Sequence, residues 1–351
     1  MVRNACTLTP RAITPPRVAD DLTTVTELAT ALGMLGYPTV DAALAARPPE
    51  MVNLTSLEWD RLDALRAAGA HPVAFLSGFD NGAAFLAAPA ALRGRVPALI
   101  EWKGSHKSPG PEAVPADLRV DHVYLVSCKY LSRNLHNRSP SRVFDRLLGP
   151  GDTDATDWYL RAAPDRYQAL YEAAASIAGS DAGLPDRIED LRPAHRPVLR
   201  AALRARSWPA AAAAPYAELC REVSTRTAAH WSARIDGPAQ AEALVWRLLR
   251  IGSAPYFILG SDPRRPLRLR IDTPWDWRQR YRLRRLTISP GSGGQPQVAW
   301  RAECTEKATG HTRTVAGHVE IRWSHGRFAQ TPEAKVYLDT PHDDVPGYVR
   351  M

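Results

Sequence analysis

The sequence predicts a mixed α/β protein of the α+β kind, and three observations carry that prediction. Helical apolar spacing dominates up to about residue 95 and again over 155–250. Period-two patterns around a tight turn fill 96–132, and short alternating runs occupy most of the chain after 251. At 351 residues, with 45% hydrophobic and 23% charged, the chain can bury two or three cores.

Residues 1–50 are expected to form an N-terminal helical extension, with a proline-rich start and one helix in DDLTTVTELATALGML. Residues 51–180 are expected to hold the α/β core. NLTSLEWDRLDALRAAGA predicts a helix with Ser56 as N-cap and Gly69 near its end. NGAAFLAAPAALRGR continues helical until Pro89 interrupts it. VPALIEWKG, ADLRV and HVYLVSCKYL read as three strands, the last two joined at Asp121-His122, and SPSRVFDRLL starts a serine-capped helix. Residues 181–250 are expected to be a helical segment, with the alanine run 210–214 between Pro209 and Pro215 as a linker. Residues 251–351 are expected to be β-rich and basic, and no repeat of fixed period is present.

The net charge of +8 and pI near 9.5 favour a polyanionic partner. Four scattered cysteines without a CxxC pair argue against a structural zinc site and fit a reducing compartment. Cys128 reads as a buried structural thiol. No apolar run approaches the roughly 20 residues of a membrane helix, and the N-terminus lacks a secretory core, so a cytoplasmic protein is expected. GxGxxG, Walker, nucleophile-elbow and HExxH patterns are all missing, which argues against the common small-molecule chemistries.

Basic charge is supplied almost wholly by arginine. Only five of the 45 basic residues are lysines, and three of these, Lys103, Lys107 and Lys129, fall within 103–129. Arginine serves for solubility and most ion pairs, but not where a compact ammonium must adjust its pKa. The lysine distribution therefore points at the hairpin. Alternation puts Ser127 and Lys129 on one strand face and Cys128 on the other. A turn at Asp121-His122 places Asp117 opposite Val126 or Ser127. An acid on one strand beside a lysine on the next suits metal-dependent phosphodiester hydrolysis, with the acid holding a divalent cation and the lysine orienting water.

Pro115-Ala116-Asp117 with Ser127-Cys128-Lys129 resembles the motif of the PD-(D/E)XK nuclease superfamily, over about residues 55–150. The resemblance implies a restriction-endonuclease-like mixed sheet core with flanking helices, Mg²⁺ or Mn²⁺ as cofactor and DNA as partner. It makes Asp117 a metal ligand and Lys129 the catalytic lysine. Ser127 departs from the pattern, because the family has an acid there and a hydroxyl is a poor metal ligand. Glu101 in ALIEWKG is the candidate second acid, with Glu58 as a helix-borne alternative and Asp121 ranked below both. The expected function is a DNA endonuclease of restriction or antiviral-defence type. A homodimer would cut both strands most simply, and a methyltransferase or helicase partner would place it in a defence system. Serine at the acid position also fits a second reading, a nucleic-acid-binding protein whose nuclease-like core has lost its chemistry.

Two literal triplets compete. Glu101-Trp102-Lys103 has Asp80 upstream, and Glu333-Ala334-Lys335 has Glu320 across an expected turn. Both rank second, because each lysine would lie at a strand edge. The bland reading of Glu333 and Lys335 is a solvent-facing pair. The stretch 264–285 packs nine arginines around Trp275, Trp277 and Tyr281. Arg278, Arg280, Arg282, Arg284, Trp275, Trp277 and Lys103 are the expected DNA contacts, by phosphate neutralisation and base stacking. Arg322, His325 and Arg327 extend the patch, and Gln168 with Tyr171 is a weak site signal one helical turn apart.

Overall fold

Alanine-rich and glycine-containing helix faces let the first part of the chain pack backbone against backbone. A computed structural model describes residues 21–104, 116–129, 134–145, 157–261 and 266–351. These residues form a mixed α/β protein whose contacts divide it into two compact units, and no helix among them is long and apolar enough to cross a membrane.

The first unit comprises residues 1–112, 116–130 and 259–267. Its elements run α1 (Asp21–Gly33), α2 (Val40–Ala46), β1 (Met51–Val52), α3 (Ser56–Ala67), α4 (Pro72–Ala87), β2 (Ile100–Trp102), β3 (Leu118–Val120) and β4 (Tyr124–Lys129). The α1 helix is no extension. Val25, Leu28, Ala29 and Leu32 are fully buried, and its backbone meets α4 where glycines remove the side chains. A Cβ on Gly82 would collide with the Thr30 carbonyl, and one on Gly33 with the Phe79 carbonyl. Asn81 on α4 is fully buried and donates to the Gly260 carbonyl (3.0 Å) and the Ser261 hydroxyl (3.4 Å), tying the returning segment to this helix.

Thr55, one residue before the expected cap, starts α3, and its capping box with Glu58 satisfies the first turn. The α4 helix ends at Ala87, before Pro89, as the residue pattern predicts. Strand β1 runs parallel to β2, while β2–β3 and β3–β4 are antiparallel. Asp121 and His122 both adopt positive φ, 48° and 60°, and Val123 N–H closes the turn on the Val120 carbonyl. Paired left-handed residues match the twist of a hairpin. The Asp121 carboxylate accepts the Ala98 and Leu99 amides, which fastens this turn to the strand before it.

The second unit comprises residues 113–115, 131–258 and 268–351. It carries β5 (Asn134–Arg138), α5 (Pro140–Phe144), α6 (Trp158–Ala162), α7 (Pro164–Ala178), α8 (Arg196–Ala202), α9 (Ala210–Ala233) and α10 (Pro238–Leu248). After β6 (Tyr256–Gly260) and β7 (Leu267–Ile271), both of which straddle the unit boundaries, come α11 (Pro274–Arg280), β8 (Tyr281–Ser292), β9 (Pro296–Glu306), β10 (Thr312–Arg322), β11 (Glu333–Leu338) and β12 (Tyr348–Arg350). Strands β5-β11-β10-β9-β8 form an antiparallel sheet in that order, and β12 pairs with β7. Helices α9 and α10 pack against β8, and α9 also against β9.

Three expectations change here. The boundary expected at 180 falls instead near 130, because β5 pairs with β11 and draws residues from 131 onward into the second unit. The 210–214 linker is the first turn and more of α9. Alanine's helix propensity carries the chain through Pro215, and Ala212 is fully buried. Residues 274–280, placed among the strands, form α11 because Thr273 and Asp276 make a capping box around Pro274 at its first position.

Asp157 caps α6 by accepting the Tyr159 amide (3.0 Å), and it also accepts the Tyr167 hydroxyl (3.3 Å). Burial pushes its carboxyl up to about 6. A carboxyl raised in the folded state favours folding below the unfolded value, and that contribution is lost as pH rises through about 6. The cost at neutral pH is at most about 3 kcal/mol. Asp157→Asn keeps an oxygen cap without the charge. Its melting temperature is expected to gain on wild type by a few °C between pH 4 and 7 in parallel thermal scans. A difference independent of pH would refute the assignment.

Candidate functional site

The register of three strands decides which side chains meet. Glu101 pairs with Arg119 and Trp102 with Leu118, while Leu118 pairs with Val126. Cross-strand partners share a face, so Glu101, Lys103, Asp117, Arg119, Leu125 and Ser127 occupy one side of the sheet. Ile100, Trp102, Leu118, Val120 and Val126 occupy the other, and all are buried. Trp102 donates its indole N–H there to Glu27 of α1 at 2.7 Å. The apolar face anchors the strands.

On the polar face Asp117 lies opposite Ser127, one of the two registers that the turn position allows. Its Oδ2 accepts the Ser127 hydroxyl at 3.0 Å and the Cys128 amide at 2.7 Å. The Lys103 amide donates to the Asp117 carbonyl at 2.9 Å, so Lys103 sits across from Asp117 on β2's continuation. Ser127 is 1% exposed and Cys128 is buried. Lys129 is the last residue of β4, and its side chain lies outside the described part of the structure, as does all of Lys107.

Glu101 shares the face but is already engaged. Arg119 grips it with two guanidinium nitrogens, one at 2.7 Å, and His122 stands 3.5 Å away. The hydrogen bonds from Arg119 hold the Glu101 carboxyl below its usual range. Arg119 is the residue that sequence reasoning missed, and the β2–β3 register is the signal that would have found it. Glu58 serves the α3 capping box, and Asp121 holds the turn. Asp80 lies on the exposed side of α4.

Among the described residues no three acid, histidine or cysteine side chains converge on one point. Mg²⁺ needs less than that, since it keeps several waters and takes one or two carboxylates plus substrate phosphate oxygens. Asp117 fits such a cation, as an oriented carboxylate with one oxygen committed to the hairpin. Glu101 is already held in an ion pair with Arg119.

The other expected residues are dispersed. Glu320 pairs directly with Lys335 across β10–β11, so the expected juxtaposition exists. Glu320 also contacts Arg322 (3.2 Å), and Glu333 accepts Ser324 and Gln330, which makes this a half-buried polar network. Trp277 is fully buried and donates to the Pro346 carbonyl, so it is a core residue and not a stacking platform. Arg278 pairs with Glu242 and covers Trp246, and Arg280 pairs with Asp272. These pairs leave Arg282, Arg284 and Trp275 as the exposed members of the expected patch without such an acid partner among the described residues. Arg284 stands in a register shift between Leu283 and Arg285. Gln168 and Tyr171 hold the loop over 185–188.

A further ion cluster had no signal in the sequence. Asp145, 1% exposed, takes both Arg161 nitrogens and His230 at 2.7 Å, while Arg234 donates to its carbonyl. It ties the end of α5 to α6 and α9. No protein-family model, no curated protein and no solved structure matches this chain.

Proposed function

We propose that the protein is a metal-dependent DNA endonuclease of restriction or defence type, with its chemistry on the β3–β4 hairpin. The observation that carries this reading is the placement of Asp117 beside Ser127, two residues before Lys129 on the same strand. Asp117 would hold Mg²⁺ or Mn²⁺, which supplies Lewis-acid polarisation of the scissile phosphate when bound. The Ser127 hydroxyl and Cys128 amide fix the rotamer of Asp117, so the carboxylate is oriented before substrate arrives. Lys129 would orient the attacking water and balance charge on the phosphate, and Lys103 would contact a neighbouring phosphate. Arg119 keeps Glu101 ionised and out of the reaction.

The test is cleavage of plasmid and phage DNA with Mg²⁺, Mn²⁺ or EDTA. Cutting in metal, none in EDTA and none by Lys129→Ala is the expected result. Cutting that survives Lys129→Ala would move the site to Glu101/Lys103 or Glu333/Lys335. A second reading, a nucleic-acid-binding protein without chemistry, is favoured by serine at position 127 and by the ion-paired Glu101. It predicts salt-sensitive DNA binding with no cutting in any metal.

A further inference from the structure

A cleft of about 730 Å³ in the second unit is lined by Arg196, Arg200, Arg204, His325 and Arg327, with no acidic residue in its wall. That volume lies within the range of ligand sites. Elsewhere arginines meet carboxylates, as in Arg47 with Asp60 and Asp63, Arg66 with Asp41, and Arg166 with Glu218. Arg200 and Arg204 have no carboxylate partner among the described residues, although both are exposed.

The cleft is held in shape by its other two arginines. Arg327 donates to the carbonyls of Leu203, Ala205, Arg206 and Ser207 and lies 4.1 Å from the Trp208 ring centre, which pins the loop bearing Arg204. Arg196 donates to the Phe328 carbonyl at 2.9 Å. Gly326, at φ +105°, brings its loop against the Arg200 side chain, where a side chain of its own would be strained. Arg196 and Arg200 are one helical turn apart, about 6 Å of rise, and Arg204 extends the row past the helix end. A row of arginines on a fixed backbone, with Arg200 and Arg204 lacking a carboxylate partner among the described residues, suits a row of phosphates better than a single anion. The remaining wall is proline, alanine, leucine and glycine, which leaves the His325 imidazole as the one aromatic ring in the lining.

We propose that this cleft binds the phosphate backbone of a nucleic-acid strand without reading its bases. The assignment rests on the nucleic-acid part of the reading above and not on cleavage. It relocates part of the DNA contact from the α11 arginines, which face acids, to α8.

The experiment measures anisotropy of a short fluorescent single-stranded DNA on the full chain in EDTA over a range of NaCl. Arg200→Ala/Arg204→Ala is expected to weaken binding about tenfold or more at low salt and to reduce the slope of log K against log[salt] by about 1 to 2. Arg200→Lys/Arg204→Lys should keep most of that slope. Arg47→Ala, whose arginine sits between two acids in the first unit, should bind as wild type does. Unchanged affinity and slope in the alanine pair, while wild type binds, would overturn the cleft assignment alone, and so would a lysine pair as weak as the alanine pair. ATP binding tighter than that of the strand, and lost in the alanine pair, would overturn the choice of a strand over a free nucleotide. Wild type that binds no DNA would overturn this proposal and the nucleic-acid reading together.

Discussion

Asp117→Asn is expected to lower metal-dependent DNA cleavage by about 100-fold or more while leaving the melting temperature nearly unchanged. Asparagine keeps an oxygen to accept the Ser127 hydroxyl and the Cys128 amide, so the hairpin geometry survives. What is lost is the negative charge that, under the proposed function, would hold a divalent cation. Metal polarisation supplies several kcal/mol to such reactions, and each 1.36 kcal/mol is worth about tenfold in rate. Glu101→Gln separates the two acids. It removes the charge that faces Arg119, so it should cost stability and leave cleavage within a few-fold of wild type. Equal losses of cleavage in both variants would restore Glu101 as a metal ligand. An Asp117→Asn variant that cuts at wild-type rate would remove the hairpin from the chemistry.

Gly82→Ala is expected to destabilise the protein by about 3 kcal/mol or more, read from urea unfolding. The added Cβ would meet the Thr30 carbonyl and the Gly33 backbone of α1, neither of which can rotate away. Overpacking against flexible side chains typically costs about 1–3 kcal/mol, and a rigid backbone contact belongs at or above the top of that range. Gly69→Ala is the contrast, since nothing lies within 4 Å of a Cβ there and only its positive φ of 65° opposes alanine. If Gly82→Ala unfolds at the wild-type urea concentration, the close crossing of α1 and α4 is wrong.

Local signals were legible where the cause was local. The turn at Asp121-His122, the strand in ALIEWKG and the helix stop before Pro89 all depend on a few adjacent residues. So did the juxtaposition of Asp117 with Ser127, because a hairpin turn dictates its own register. Partnerships between distant segments were not legible. Arg119 takes Glu101 because β2 and β3 pair in one register out of several, and β5 joins β11 across almost 200 residues of chain. The basic stretch misled for the same reason. Its charge density is real, but Glu242 and Asp272 reach Arg278 and Arg280 only once α10, β7 and α11 are folded. Trp277 was read from its arginine neighbours, whereas helical phase within α11 turns it inward.

The return of residues 259–267 to the first unit has a consequence during synthesis. When residue 130 leaves the ribosome, Asn81 still lacks Gly260 and Ser261, the partners of its side-chain amide. At ordinary elongation rates those partners arrive roughly 7 to 26 s later. A buried amide that lacks two of its hydrogen-bond partners is less well satisfied, so the packing around α4 is completed only then. The unit that begins the polypeptide is therefore completed only after helices α5 to α10 of the second unit have been made, and a nascent chain stalled before residue 260 carries the Asp117 hairpin on an unfinished support.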